Sequence, residues 1–188
     1  FTFTQARLEQ INGAPLVDGP YSLKLAAPDS AGNSTQISVS FTLDTQVPVL
    51  TFDLAAASDT APVGDQQTTN AIVTLVGQTE ANALVELVGL GLTTTTDGTG
   101  AFSFNNVALA LGANTFTARA TDAAGNQRTE IRTIIRVVAD SDGDGVPDGA
   151  EGGGPNGGDA NNDGILDAQQ ANVASLQNAI DNQYVTLV

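Results

Sequence analysis

Residues 101–126 read AFSFNNVALALGANTFTARATDAAGN, and the spacing of their apolar side chains decides the fold. Phe102 and Phe104 flank Ser103, while Phe116, Ala118 and Ala120 interleave with Thr115, Thr117 and Arg119. Successive side chains of a strand point to opposite faces, so this alternation makes one face apolar and leaves the other wet. A strand of that kind covers a core on one side only. The stretch ends in TDAAGN, a turn: Asp and Asn bond their own backbone and Gly supplies positive φ.

Outward from this stretch the same signals recur. VPVLTF (47–52), AIVTLVG (71–77), ALVELVG (83–89), LTTTT (92–96), AFSF (101–104), NTFTARA (114–120) and TEIRTIIRVV (129–138) give seven short, β-branched strands separated by turn residues. They fill residues 45–139, the span a Greek-key sandwich of two antiparallel sheets requires. The chain has no Cys and no Trp, so the core of such a sandwich is aliphatic and Phe.

The chain also repeats itself. Asp29, Gly32 and Asn33 of YSLKLAAPDSAGN stand 93 residues before Asp122, Gly125 and Asn126 of NTFTARATDAAGN. Phe1 and Phe3 of FTFT correspond to Phe102 and Phe104, with a longer connection in the first copy. A period this long makes each copy a domain with its own core, not one turn of a solenoid. Residues 1–44 then hold only the last three strands of a unit whose complete copy is 45–139. Three strands alone would expose unpaired edges and half a core, so the missing strands lie upstream in a longer polypeptide or come from a neighbouring molecule. Asn33-Ser34-Thr35 is formally a glycosylation sequon but reads as a hairpin tip.

The order VGQTEANALVEL (76–87), TDGTGAFSF (96–104), LGANTFTARATDAAGN (111–126) resembles the bacterial immunoglobulin-like repeats of large surface adhesins and biofilm proteins. The resemblance covers 45–139 and, as a partial copy, 1–44. It implies an all-β, immunoglobulin-like β-sandwich, a place in an extracellular stalk on a bacterial cell surface, and neighbouring repeats or other copies of itself as partners.

Charge narrows the function further. The 188 residues carry a formal net charge of −15 with only six Lys and Arg, so nucleic acid and anionic bilayers are repelled and cationic partners favoured. The absence of Cys, His, Met and Trp removes disulfides, thiol nucleophiles, Ser-His-Asp triads and the usual zinc sites. No apolar run approaches the roughly 18 residues that span a bilayer. FTFTQARLEQ at the start lacks the charged-then-apolar form of a signal peptide, which fits a removed signal or a piece of a longer chain. The carboxylates stand in ligand spacing or in turns, without an aromatic cluster to form a pocket, which argues against acid–base catalysis.

Eight of the 21 acidic residues fall between Asp140 and Asp167. In DSDGDGVPDGAE (140–151), Asp140, Asp142, Asp144, Val146 (by its carbonyl), Asp148 and Glu151 occupy positions 1, 3, 5, 7, 9 and 12 of an oxygen-ligated calcium loop, with Gly145 at the turn position 6. DANNDGILDAQQ (159–170) repeats the scheme with Asp159, Asn161, Asp163, Ile165 and Asp167 but ends on the neutral Gln170, which predicts a weaker site. The two loops, with GGGPNGG between them, resemble calcium-binding thrombospondin type 3 repeats and, for the second, dockerin loops. A strand enters the first loop and glycines leave it, so no helix pair is available to open as in a sensor. LDAQQANVASLQNAI after the second loop has modest helical character, and residues 171–188 resemble the start of a C-terminal region in bacterial surface proteins.

A third acidic set comprises Asp44, Glu80, Asp97 and Asp122, in turns and the linker at one pole of the sandwich. In similar adhesin repeats such acids hold calcium between domains. For Asp97 and Asn126 turn chemistry suffices; for Asp44, Glu80 and Asp122 both readings stay open. The sequence thus describes a non-enzymatic, calcium-stiffened structural or adhesive segment whose calcium loops occupy 140–170. The alternatives are a filament subunit assembled by strand addition, or an accessory module of a secreted enzyme. The surface glycan or protein it meets is not written in the sequence.

Overall fold

The computed structural model describes residues 2–60, 62–178 and 180–188. Phe1, matched above to Phe102, lies outside them. The elements are helix α1 (Gln5–Asn12) and strands β1 (Gly19–Pro28), β2 (Ser34–Leu43), β3 (Thr51–Leu54), β4 (Gln67–Thr68), β5 (Ile72–Gln78), β6 (Leu84–Leu87), β7 (Leu92–Thr95), β8 (Ala101–Ala108), β9 (Gly112–Thr121) and β10 (Gln127–Arg136). One-turn helices α2 (Asp148–Glu151) and α3 (Pro155–Gly158), a 3-10 turn (Asp167–Gln169) and strands β11 (Ala174–Gln177) and β12 (Tyr184–Leu187) follow.

Strands β3-β5-β8 form one sheet and β4-β10-β9-β6-β7 another, while β1-β2 and β11-β12 are separate hairpins. The non-sequential order is that of an immunoglobulin-like Greek-key β-sandwich. All seven expected strands are present. An eighth, β4, is only two residues long and pairs in parallel with β10 through Ile135↔Gln67 and Arg136↔Thr68; so short an element carries no periodicity to read.

The chain divides into two compact units, residues 1–51, 77–102 and 117–130, and residues 52–76, 103–116 and 131–188. In the first unit Leu50, Ala83, Val85, Leu87, Phe102, Ala118 and Ala120 are buried. Strand β6 pairs with β9 so that Glu86 stands opposite Arg119, and the two form an ion pair on the wet face. Gly77 is required by close approach, because a Cβ there would collide with the Phe102 ring and the Thr51 carbonyl. In the second unit Phe52, Leu54, Val73, Leu75, Phe104, Val107, Leu109, Phe116 and Ile134 are buried. The buried Thr68 hydroxyl donates to the Ser58 carbonyl at 2.6 Å, so its polarity is satisfied.

Two expectations fail. Thr2–Thr4 is not a strand: it leads into α1, whose N-cap Thr4 accepts from the Arg7 amide at 3.3 Å and whose end is closed by Gly13 at φ 77°. Local capping decides here, and no described strand pairs with the segment. The first copy therefore contributes one hairpin, β1-β2, in register from Gly19↔Leu43 to Pro28↔Ser34, with Tyr21 and Phe41 stacked at 5.5 Å. Its turn bonds match those of the second copy: the Asp29 carboxylate accepts from the Ala31 and Asn33 amides, as Asp122 does from Ala124 and Asn126. The expected helix in LDAQQANVASLQNAI is also absent. Its place is taken by the 3-10 turn and the β11-β12 hairpin, where Val173 and Ser175 are buried two residues apart and tertiary packing overrides propensity.

Leu75 is 0% exposed and Ile72, three residues earlier on the same strand, is 62% exposed. Leu75→Ala is expected to cost about 2–5 kcal/mol in denaturant unfolding and Ile72→Ala about 0.5 kcal/mol or less. Equal losses would contradict the assignment of faces.

Candidate metal centre

The first acidic loop begins four residues after β10 ends and is held by its own carboxylates. Asp140 accepts from the Gly143 and Gly145 amides at 2.8 and 3.1 Å, Asp142 from Asp144 at 3.2 Å, and Asp144 from Val146 at 2.7 Å. Gly145, at φ 93°, supplies the left-handed turn required at position 6. These bonds fold the chain back so that carboxylate oxygens of Asp140, Asp142 and Asp144 all lie within 4.8 Å of one another.

The second loop repeats the pattern. Asp159 accepts from the Asp163 and Gly164 amides at 3.1 and 3.0 Å, Asn161 from Asp163 at 3.3 Å, and Asp163 from Ile165 at 2.9 Å, with Gly164 at φ 89°. The Ile165 amide holds Asp163 below the usual carboxylate range against the opposing effect of burial, helped by the Asn161 and Gln170 side chains. Gln170 Nε2 donates to Asp163 Oδ1 at 3.0 Å and to the Ile165 carbonyl at 2.9 Å. An amide donor thus sits among oxygens that positions 5 and 7 of a calcium loop direct at a cation.

Position 9 behaves alike in both loops. Asp148 accepts from the Ser141 amide and hydroxyl at 2.7 and 2.8 Å, and Asp167 from the Ala160 amide at 3.0 Å. Each carboxylate closes its loop onto position 2, a role that spacing alone could not distinguish from ligation.

Glu151, position 12 of the first loop, is 0% exposed, and among the described residues neither of its carboxylate oxygens meets a hydrogen-bond partner in good geometry; Asp142 Oδ2 is likewise buried with none. Burial pushes the Glu151 carboxyl up, and the neighbouring charges of Asp144, Asp142 and Asp167 push it the same way. The Ser175 backbone amide pulls slightly in the opposite direction. A shielded, partnerless anion beside other anions is unfavourable unless neutralised. A divalent cation beside Asp142 and Asp144 would meet that need.

The glycines between the loops are packing residues. A Cβ on Gly153 would lie 2.6 Å from the Tyr184 hydroxyl, and one on Gly154 would lie 2.9 Å from the Glu151 carbonyl and 3.1 Å from Ser175 Cβ. The exit helix α2, the 3-10 turn and β11 pack on one another around Val173, Ser175, Glu151 and Asp167.

The polar set at Asp44, Glu80 and Asp122 is different. Burial raises the Asp122 carboxyl, but the Asn126 side chain and the turn amides outweigh it and leave the group below its usual range. Its oxygens accept from the Ala124 and Asn126 amides and from Asn126 Nδ2 at 2.8, 2.9 and 2.9 Å, which is turn chemistry. Asn126 Nδ2 also donates to the Asp44 carbonyl at 3.1 Å, tying the linker to this turn. Asp97 is consumed by the Thr99 hydroxyl and the Thr99 and Ala101 amides. Among the described residues, Asp140, Asp142 and Asp144 form the one cluster of three ligands at metal-binding separation.

A family model described as a bacterial Ig-like domain matches residues 46–140. No curated protein matches the chain. Among solved structures, the tetra-tandem repeat in the extending region of a large adhesion protein is 26% identical, with 63% of this chain and 31% of that one covered at a TM-score of 0.37. A Ca2+-stabilized adhesin said to help an Antarctic bacterium reach out and bind ice is also 26% identical, over 65% of this chain and 32% of that one at a TM-score of 0.33. The chain therefore spans about a third of the length of these solved chains.

The raised carboxyl of Glu151 sets a pH dependence for the metal-free protein. The folded state holds that proton more tightly than the unfolded one, so stability contributed by the protonated group is present below 4.5 and is lost as pH rises through and above that value. In chelator, Glu151→Gln is expected to stabilise residues 140–188 at pH 7 and to flatten this slope, read by hydrogen exchange of the α2 and β11 amides. Destabilisation by Glu151→Gln in chelator would contradict the unpartnered-anion assignment.

Proposed function

The chain belongs to the bacterial Ig-like domain family, and from that premise we propose that it is a non-enzymatic structural segment of an extracellular or cell-surface adhesive protein, stiffened by calcium bound after the sandwich. The observation that carries the calcium half is Glu151, buried and partnerless beside Asp142 and Asp144. Asp140, Asp142, Asp144, Glu151 and the Val146 carbonyl are the first ligand set, and Asp159, Asn161, Asp163, Gln170 and the Ile165 carbonyl are the second. The bound ion supplies the positive charge that lets these carboxylates stay together. Asp148 and Asp167 hold each loop closed. This loop arrangement is the thrombospondin type 3-like feature of the proposal.

The reading is structural and not regulatory because of what flanks the loops. Strand β10 precedes the first loop, and α2, which forms its last turn, is four residues long, so among the described residues there is no helix pair whose opening could expose a groove. Among the described helices none is long and apolar enough to cross a membrane. Attachment and any glycan or protein target belong to the longer protein in this proposal.

A second reading, assembly by strand addition, draws on the β1-β2 hairpin. Leu25, Ile37 and Val39 on it are 38%, 61% and 46% exposed. Light scattering distinguishes the two: a monomer with and without calcium supports the stalk segment, and growth in mass with protein concentration supports assembly.

Calcium titration followed by small-angle scattering and a hydrophobic dye tests the stiffening. Uptake of two ions, a narrower range of dimensions and unchanged dye binding are expected. A marked rise in dye binding would contradict the structural role and favour a sensor.

A further inference from the structure

The sequence contains two Asn-Gly pairs, Asn12-Gly13 and Asn156-Gly157, and the backbone treats them differently. Asn12 is the last residue of α1, and the Gly13 amide donates to the Glu9 carbonyl at 2.9 Å, so that nitrogen is engaged in the helix end. Asn156 and Gly157 lie inside α3, where both depart from helical geometry and turn left-handed, at φ 54° and 78°. Both are exposed. A Cβ on Gly157 would meet nothing within 4 Å, and among the described residues the Gly157 amide makes no hydrogen bond. The Asn156 side chain is held by one bond, from Nδ2 to the Asp159 carbonyl at 3.1 Å. Gly158, the next residue, is buried: a Cβ there would lie 3.1 Å from Gly152 Cα and 3.3 Å from the Glu151 carbonyl oxygen.

We propose that Asn156 is a modification site selected by the fold: it deamidates through the neighbouring backbone, with water as the co-reactant. The deprotonated Gly157 nitrogen attacks Asn156 Cγ. The N–Cγ bond forms, the Cγ–Nδ2 bond breaks, and Nδ2 leaves as ammonia with the proton that the Gly157 amide gave up. Water then opens the five-membered imide. Cleavage of the new N–Cγ bond gives aspartate at 156, and cleavage of the original peptide C–N bond gives isoaspartate, in which the chain runs through the side-chain carboxyl. Gly157 suits the step because it has no side chain to crowd the closing ring and its nitrogen gives up no hydrogen bond. Closure needs rotation about ψ of Asn156, opposed by the Nδ2 bond to Asp159 and by the long turn bonds from the Gly158 amide to Gly154 and the Asp159 amide to Pro155, at 3.3 and 3.2 Å. At Asn12 the same rotation would unwind the end of α1 and take the Gly13 amide from Glu9. Either product adds a negative charge between the two acidic loops and removes the donor to the Asp159 carbonyl. The isoaspartyl form also lengthens the backbone immediately before Gly158, the residue packed against Gly152.

Ageing of the full chain at mildly alkaline pH, folded and in denaturant, tests this by peptide mass spectrometry and isoaspartyl methyltransferase labelling. In denaturant the two pairs are expected to convert at similar rates, because each asparagine is followed by glycine and neither is held. In the folded chain Asn156 is expected to convert about tenfold or more faster than Asn12, the difference being the local opening that Asn12 requires. Asn156→Gln is expected to abolish isoaspartyl labelling of the folded chain, since the longer side chain closes its ring poorly. Equal conversion of Asn12 and Asn156 in the folded chain, or no conversion at Asn156, overturns the proposal, as does labelling that survives Asn156→Gln. The step uses no ion, so these outcomes leave the calcium reading to its own titration.

Discussion

A carboxylate removed from water needs a partner, and among the described residues Glu151 meets none in good hydrogen-bond geometry. The cost of an isolated buried charge exceeds what nearby packing returns, and three further carboxylates add to it. The C-terminal part of the chain follows from this constraint. Among the described residues its interior is made of Glu151, Asp167 and Ser175 with one buried apolar side chain, Val173, far less apolar burial than stabilises the sandwich. Cohesion there must come from charge compensation, while Phe52, Leu75, Val85, Phe104 and Ile134 hold the sandwich by hydrophobic burial. On the proposed reading two different forces act along one chain, and only one of them responds to a dissolved ion.

This division explains how a spacer can be both stable and adjustable. The sandwich strands need no ion, because their alternation covers an apolar interior. The acidic loops are shaped by their own Asx-type bonds, from Asp140 to Gly143 and Gly145 and from Asp159 to Asp163 and Gly164. Those bonds fix the backbone but leave net negative charge concentrated inside it. Calcium would then complete a preformed arrangement, which lowers the ordering cost of binding. Hydrogen bonds from Ser175 to Asp167 and to Thr186 tie the second loop to the last strand.

Much of this was legible in the sequence, for reasons that differ by element. The alternation at Phe102 and Phe104, and at Phe116, Ala118 and Ala120, writes burial directly into residue order. The ligand spacing at Asp140, Asp142 and Asp144 placed the cluster, because a short loop with glycine at its turn allows few conformations. What was missed depends on contacts distant in sequence. Strand β4 exists through its pairing with β10, and β11 through the packing of Val173 and Ser175. The run GGGPNGG reads as a flexible spacer, yet Gly153 and Gly154 are there so that Tyr184 and Ser175 can come close. Asp148 and Asp167 stand at a ligand position, and nothing in the spacing reveals that they also bond backbone amides.

Amide hydrogen exchange of the whole chain, in chelator and in saturating calcium, tests most directly whether two forces hold its two parts. The expected result is unchanged protection in β5, β6, β8 and β9, with protection of the 140–188 amides low in chelator and raised by calcium by an order of magnitude or more. Equal protection of residues 140–188 in both conditions would show that the acidic part holds itself together without an ion, and would contradict the account.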